Sequence, residues 1–399
     1  MDPVMAPSIS TPKGIFLFSS TIVGAGILAL PVAAAEAGFI PLAIMLLAVG
    51  AVSILSGLYI AEATLAHQEP LHLPSLARKY LGPWGIALMM LGIMINIYGA
   101  LVGYLAAGGQ VFLILSGGAI PVWLGTLIYF VIGSTILHRG LVLISRVNTW
   151  LMYLMLILLA VVMGMAAPKI QVPLLVQTGW HAIFDVFGIV LFAYLGHAVI
   201  PSIAFQLRDR AQITLVVAVG IALPCILYLA WSFVVLGVVP AESDSEHSLA
   251  TARAMGHPAT VPLGFVVGGS VIILGKLFAA LSTMTSYIGL GVSLRDSYSD
   301  LAVQRRRAVS AIALTGVVVI PPLLIALANP GVFVQVLDIA GTFGGGIFIG
   351  ILPVLILFRV RRAHPERPYT AFGGAAVPWF VAGVYALGIL YAIVTLVGS

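Results

Sequence analysis

Charge is what this chain is shortest of. Only 8% of its 399 residues are Asp, Glu, Lys or Arg, while 61% are hydrophobic and the mean hydropathy is +1.16. A soluble domain of this length needs far more charge to cover its surface, so one is excluded. Cysteine is nearly absent: Cys225 lies in an apolar run beside Pro224 and has no disulfide partner in the chain. There is no H-E-x-x-H pair, no G-x-S-x-G elbow and no P-loop, so nothing points to an enzyme of those classes. The short alternating segments of a membrane β-barrel are missing as well.

What the chain has instead is eleven apolar runs, near 14–37, 40–66, 84–114, 121–138, 147–167, 182–205, 212–240, 261–295, 308–328, 331–358 and 377–397. Each suits a helix crossing a bilayer, and the third and eighth are long enough to tilt or to extend past it. The expected fold class is therefore an all-α integral membrane protein with about 11 transmembrane helices in a single polytopic domain, 1–399. The first run, with a lysine before it and small residues after it, also has the outline of a signal peptide, but it is too long for one.

Basic residues set the direction. With the N-terminus in the cytoplasm, the inner segments hold Lys13, Arg78, Lys79, Arg139, Arg146, Arg208, Arg210, Arg295, Arg305, Arg306, Arg307, Arg359, Arg361, Arg362 and Arg367. Lys169 and Arg253 remain outside, and Lys276 lies within a span. An odd number of spans puts the C-terminus outside the cytoplasm. The formal net charge of +5 therefore reads as orientation in a cell membrane, with lipid as the partner and no nucleic acid. The inner segment 67–85 has the pattern of an amphipathic surface helix.

Inside the first run stands "TIVGAGILALP", residues 21–31. Two mid-span glycines each cost a helix roughly 1 kcal/mol relative to Ala. An open backbone in lipid leaves peptide groups unpaired unless protein or a polar cavity supplies partners. A break at Val23–Gly26 would end one half-helix in free carbonyls and start the next with free N–H groups at its positive end. The sixth run, "FGIVLFAYLGHAVIPSIAFQ" (187–206), predicts a second break near Tyr194–His197. The two broken runs are five apart in the series. That is the spacing of two five-helix halves in inverted topology, 14–167 and 182–358, with an extra helix at 377–397; paired interruptions of this kind point to a transporter site. Close packing of small residues is the alternative.

Several stretches together resemble a known family. "GAGILALPVAAAEAGF" (24–39), Glu62 in "LYIAEATLA", "FAYLGHAVIPSI" (192–203), "TSYIGLGVSLRDSYSDL" (285–301) and "AGTFGGGIFIGILPVLILFRVRR" (340–362) are similar to the amino acid/auxin permease branch of the amino acid–polyamine–organocation superfamily. The bacterial aromatic amino acid permeases are close in pattern. The resemblance implies a LeuT-like five-plus-five inverted repeat with broken helices 1 and 6. It also implies secondary import of neutral, aromatic or other bulky, L-amino acids by alternating access, coupled to H+ or Na+.

A zwitterion needs two opposite partial charges. The first break offers N–H groups of Ala25, Gly26 and Ile27 for a carboxylate, with Gly24 admitting close approach, and carbonyls near Thr21 and Ile22 for an ammonium. Carbonyls around Phe192 and Tyr194, beside Gly196, complete the cage. Side-chain selection is expected from Asn96, Tyr194 and His197. Asn96 also suits an interhelical hydrogen bond, and His197 a satisfied interior histidine or a proton carrier. In the sodium-coupled relatives a Thr-Ser pair on span eight holds the ion. Thr285 and Ser286 match that pair, with Ser20 and Val23 supplying carbonyls; no other cofactor is implied. Hydroxyls that bond back to their own helix are the competing reading.

Lys276 in mid-span requires solvation or a partner, and Asp338 is the candidate. Such a pair also suits a Schiff base and its counter-ion in a retinal-type or other ligand-binding receptor. A channel is the other alternative. Glu62, at the inner end of span two, reads as an interhelical linchpin or a gate residue.

Overall fold

Helices form wherever the apolar runs predict them, and they stop where glycine or proline stops them. The computed structural model describes residues 9–68, 71–139, 141–207, 209–242, 247–304 and 309–398. It is all-helical; its one β feature among the described residues is a parallel bridge between Ile9 and Leu207. The helices in the first half are α1 (Thr11–Ile22), α2 (Gly26–Ala33), α3 (Phe39–Leu65), α4 (Leu73–Leu115), α5 (Val122–Arg139), α6 (Leu141–Ala166) and the short α7 (Val172–Val176). After a 3-10 turn, Trp180–Val186, come α8 (Phe187–Ala193), α9 (Ile200–Gln206) and α10 (Ile213–Val238). Next are α11 (Leu249–Ala254), α12 (Thr260–Val267), α13 (Ser270–Gln304), α14 (Ala311–Ala328) and α15 (Phe333–Ile339). A π-helix, Ala340–Ile351, leads into α16 (Leu352–Ala363), and α17 (Ala376–Gly398) closes the series.

Among the described residues, nine helices or helix runs are long and apolar enough to span a membrane, α1 with α2 makes a tenth, and α5 is a shorter apolar helix in the eleventh place. The expected span positions therefore hold, with three differences in detail. The third run begins earlier, because α4 starts at Leu73 and turns at Gly82, a left-handed position (φ 72°) just before Pro83. Residues 73–81 are the helical part of the inner segment 67–85. The eighth run is not one helix: Gly268 and Gly269, both at positive φ (79° and 56°), separate α12 from α13. Lys169 Nζ caps that break, donating to Val266 O at 3.0 Å and Val267 O at 2.9 Å, the place where a cation meets free helix carbonyls. The tenth run holds the twelve-residue π-helix. Its glycines let α4 press close: a Cβ on Gly344 would lie 2.6 Å from Asn96 N. Between membrane helices such small-residue contacts replace the missing hydrophobic drive.

One end of the bundle gathers Glu62, Arg361, Arg367 and the start of α10, where Thr214 meets Tyr369 through hydroxyls 2.8 Å apart. This is the basic end. At the opposite end Gly179 N donates to Ala37 O (2.9 Å) and Gln171 N to Gly237 O (2.7 Å).

Candidate functional site

The first span opens where the sequence predicts it. α1 stops at Ile22, Val23 is extended (ψ 101°), and α2 restarts at Gly26 with its axis turned by 53°. Among the described residues, the N–H groups of Gly24, Ala25 and Gly26 have no acceptor, whereas Ile27 N reaches Gly24 O at 3.3 Å. The carbonyls of Ser20, Thr21 and Val23 likewise receive no hydrogen bond there. Three donors at the start of α2 thus face out of the chain beside three acceptors at the end of α1, each set carrying its helix's partial charge.

The sixth span repeats the pattern. α8 ends at Ala193, and α9 begins at Ile200 after a 3-10 turn, His197–Val199. Gly196, His197 and Ala198 keep free N–H groups, and Tyr194 and Leu195 free carbonyls, among the described residues. The two openings face one another. A Cβ on Gly26 would stand 3.0 Å from Ala193 Cα, and one on Gly196 2.5 Å from Ile22 Cγ1, so only glycine permits this approach. Tyr228 of α10 joins them: its hydroxyl lies 2.9 Å from Ile22 O and 2.9 Å from Ala193 O. One phenol therefore ties the last carbonyls of α1 and α8. On the other side, a Cβ on Gly24 would lie 2.6 Å from Ser286 Oγ, and the buried Tyr104 of α4 hydrogen-bonds Ser286.

The faces that lead from this point towards the basic end are open. α1 packs along α10 and touches α9, but stands off from α13 over most of its length. The face of α1 turned to that gap is open: Lys13, Leu17 and Thr21 are exposed, and Ser20 and Gly24 half-buried. The matching stripe on α13, Ser286, Gly289, Ser293 and Ser297, is exposed or half-buried. A Cβ on Gly289 would meet nothing within 4 Å. Towards the opposite end the path is shut. Every residue of α2 is buried, and the loop before α12 is bonded onto it, Ala259 N to Leu28 O at 2.9 Å.

Two facing breaks, open on one side and buried on the other, are what a carrier site requires. The family model for the tryptophan/tyrosine permease family matches residues 8–395. The chain belongs to that family. It is accordingly a multi-pass membrane permease for amino acids and not an enzyme. The permease is 28% identical to tyrosine-specific transport system 1 of Haemophilus influenzae over 94% of its own length and 95% of the relative's. It is 23% identical to the low affinity tryptophan permease of Escherichia coli K12, covering 92% and 91% of the two chains. To glutamine transporter 2 of Aliivibrio fischeri the identity is 22%, over 90% and 92%.

Several expected site groups sit differently in the permease. The free donors are one residue earlier than expected, because Ile27 N–H is used by Gly24 O. The Ile22 carbonyl is taken by Tyr228, and Phe192 O accepts Leu195 N–H at 3.1 Å. Asn96 turns to the π-helix, donating to Ala340 O at 3.2 Å; it lies two turns from Tyr104, about 12 Å along the helix. Tyr194 donates to Leu46 O at 3.0 Å, and His197 Nε2 bonds Ser53 O at 3.0 Å, so both rings point into α3 rather than the opening. Lys276 is half-buried and forms no ion pair among the described residues. Asp338 instead accepts the Ile189 N–H and sits against Gly188 and Thr342. The expected Lys276–Asp338 pair, and the Schiff-base reading resting on it, therefore do not hold.

The oxygens matched to a sodium site are of the right type for a small hard cation. The hydroxyl hydrogens turn inward: Ser20 Oγ donates to Leu17 O (2.9 Å), and Thr285 Oγ1 to Leu281 O (2.9 Å) and Ser282 O (3.1 Å). That leaves hydroxyl lone pairs and the Ser20 and Val23 carbonyls as the groups able to hold such an ion.

Glu62 is wholly buried and takes four hydrogen bonds. Arg361 Nε and Nη2 approach at 2.9 and 2.8 Å, Arg367 Nε at 2.5 Å and Ala371 N at 2.8 Å. Arg361 also donates to Ala371 O (3.2 Å) and to Gly374 O. A carboxylate so surrounded pins residues 364–375 across the end of α3. Next to it His67 donates from Nδ1 to Ala63 O (3.0 Å), so its Nε2 accepts the Tyr80 O–H at 2.7 Å, and the ring packs on His364, centroids 5.1 Å apart. Burial, then Lys79, holds the His67 imidazole below its ordinary range. Tyr228, Tyr104, Arg361 and Arg367 are the residues that sequence reasoning missed. A phenol in the middle of an apolar helix must find a partner, and that signal was available at Tyr228.

Proposed function

We propose that the permease imports aromatic L-amino acids, tyrosine or tryptophan, by alternating access across the cell membrane. The observation that carries this reading is the pair of facing breaks tied through Tyr228. Free N–H groups of Gly24, Ala25 and Gly26 hold the substrate carboxylate. Carbonyls of Thr21 and Val23, with that of Tyr194, hold its ammonium. No buried charge is needed, which suits so apolar a centre. Ser286 and Tyr104 flank the opening and meet the substrate's remaining groups.

The basic end is the cytoplasmic one by the distribution of Lys and Arg, with the N-terminus there and the C-terminus outside. The open faces of α1 and α13 then line the inward path, and the arrangement is inward-open. Residues 14–167 and 182–358 form the two inverted halves, with 377–397 outside the repeat. An ion gradient, H+ or Na+, drives accumulation. The names of relatives that transport tyrosine and tryptophan support the substrate class.

Counterflow in proteoliposomes tests the reading. Vesicles loaded with unlabelled tyrosine should take up labelled tyrosine or tryptophan above equilibrium. Failure to exchange any of the twenty amino acids would refute it.

A further inference from the structure

We propose that His197 is the proton-binding site that couples this permease to a proton gradient. The inference rests on the transport reading above and names the group that reads the driving ion. His197 is wholly buried. Its Nε2 faces Ser53 O at 3.0 Å. A carbonyl only accepts, so the ring's resting proton is on Nε2. Nδ1 is therefore a bare lone pair, and it has no hydrogen-bond partner among the described residues. An orphaned acceptor in a protein interior costs about 1–3 kcal/mol; unlike the hydroxyl, amide and indole atoms left unpartnered elsewhere, this one can take up a proton near neutral pH.

The surroundings say what packs around the ring. Phe18 of α1, itself buried, stands edge-on to the ring with centroids 6.4 Å apart. Gly57 of α3 lies at its Cδ2 side, together with Val217 of α10. The titratable side chains on these elements are engaged elsewhere or distant. On α3, Glu62 is bound by Arg361, Arg367 and Ala371 N, and Tyr59 lies close enough to Arg361 and Glu62 to feel their charges. On α10, Tyr228 bonds Ile22 O and Ala193 O, and Cys225 lies against Tyr194. On α1, Lys13 is exposed at the start of the helix. Tyr194, on the ring's own segment, donates to Leu46 O. Among the described residues, no carboxylate faces His197.

Protonation forms an Nδ1–H bond with a proton delivered by water and leaves Nε2–H on Ser53 O. The product is an imidazolium without a counter-charge. Such a charge is strongly disfavoured in a dry interior. Parting α1 from the ring, at Phe18, admits water and relieves it. The neutral ring thus favours the packed position of α1 and the charged ring the displaced one. Since α1 runs directly into the break that holds Gly24 and the substrate donors, proton and substrate act on one moving element, and the coupling is reciprocal.

The test compares wild type with His197→Gln in proteoliposomes. Glutamine retains an N–H for Ser53 O but takes up no proton. The expected result is tyrosine counterflow within about threefold of wild type, with accumulation driven by an imposed pH gradient reduced at least about tenfold, inside the usual range of coupling effects. Retained gradient-driven accumulation overturns the proposal. So does loss of counterflow in a well-folded variant, which would make the ring structural. So does wild-type uptake that follows sodium and ignores the pH gradient. Absence of wild-type counterflow with every amino acid instead strikes the transport reading, and the proposal falls with it. Should His197→Gln not fold, exchange of the His197 Cε1 hydrogen can be followed in wild type by mass spectrometry across pH. A midpoint that moves on adding tyrosine supports the assignment, and one that stays fixed overturns it.

Discussion

Replacing Tyr228 by phenylalanine asks whether the two broken spans depend on a single hydroxyl. The ring is wholly buried, and Tyr228→Phe keeps its shape, so packing is nearly unchanged. What is lost is one O–H that faces two carbonyls, each at 2.9 Å. Both carbonyls end helices inside the protein, and neither has another partner among the described residues. Leaving such an acceptor unsatisfied costs about 1–3 kcal/mol. If that free energy holds the breaks in their binding arrangement, substrate affinity should fall about 5- to 150-fold. Equilibrium binding of labelled tyrosine to purified protein measures it directly, with elution as a single symmetrical species showing that the variant is folded. Unchanged affinity in a folded Tyr228→Phe protein would refute the idea that the bridge organises the site.

Three further outcomes are expected. Gly24→Leu fills the opening beside Ser286, where even the first added carbon would lie 2.6 Å from Oγ. Uptake should be lost while the protein still reaches the membrane, as blotting of membrane fractions will report. Glu62→Gln leaves Arg361 and Arg367 without their counter-charge. Breaking a buried pair costs about 3–5 kcal/mol, so protease sites within 364–375 should become cleavable and the melting temperature should fall. Burial keeps His67 neutral in the folded protein, its affinity for protons lying below the ordinary 6.5. Its contribution to stability is therefore complete above that pH and is lost as the pH falls through and below it. Thermal unfolding between pH 7.5 and 5 should show a decline that His67→Gln flattens.

Much of the architecture was legible in composition and spacing. Runs of about 20 apolar residues gave the spans, because only a helix closes its own hydrogen bonds in lipid. The glycine pair at 24 and 26 gave the first break, and Gly196 the second. The precise donors were not legible, since the one-residue shift of the donor set, from residues 25–27 to 24–26, depends on where the first turn of α2 closes. Nor was the direction of Asn96 or His197, because a side chain's depth is set by the span whereas its azimuth is set by neighbours. Arg361 and Arg367 read only as orientation signals, although they are the partners of Glu62 some 300 residues earlier in the chain (separations of 299 and 305). The pairing of distant spans leaves no local trace in one sequence.

The π-helix at Ala340–Ile351 has a consequence for register. Each of its N–H groups reaches back one residue further than in an α-helix. Were the segment to relax to α, everything after Ile351 would swing round the helix axis, because each of the twelve residues would turn further. Asn96 and Ser56 grip the wide coil at Ala340 O and Ile349 O, and Arg361 must then arrive facing Glu62. A single inserted or deleted residue between these points would leave one grip or the other empty. The tenth span is thus a ruler whose length is read at both ends.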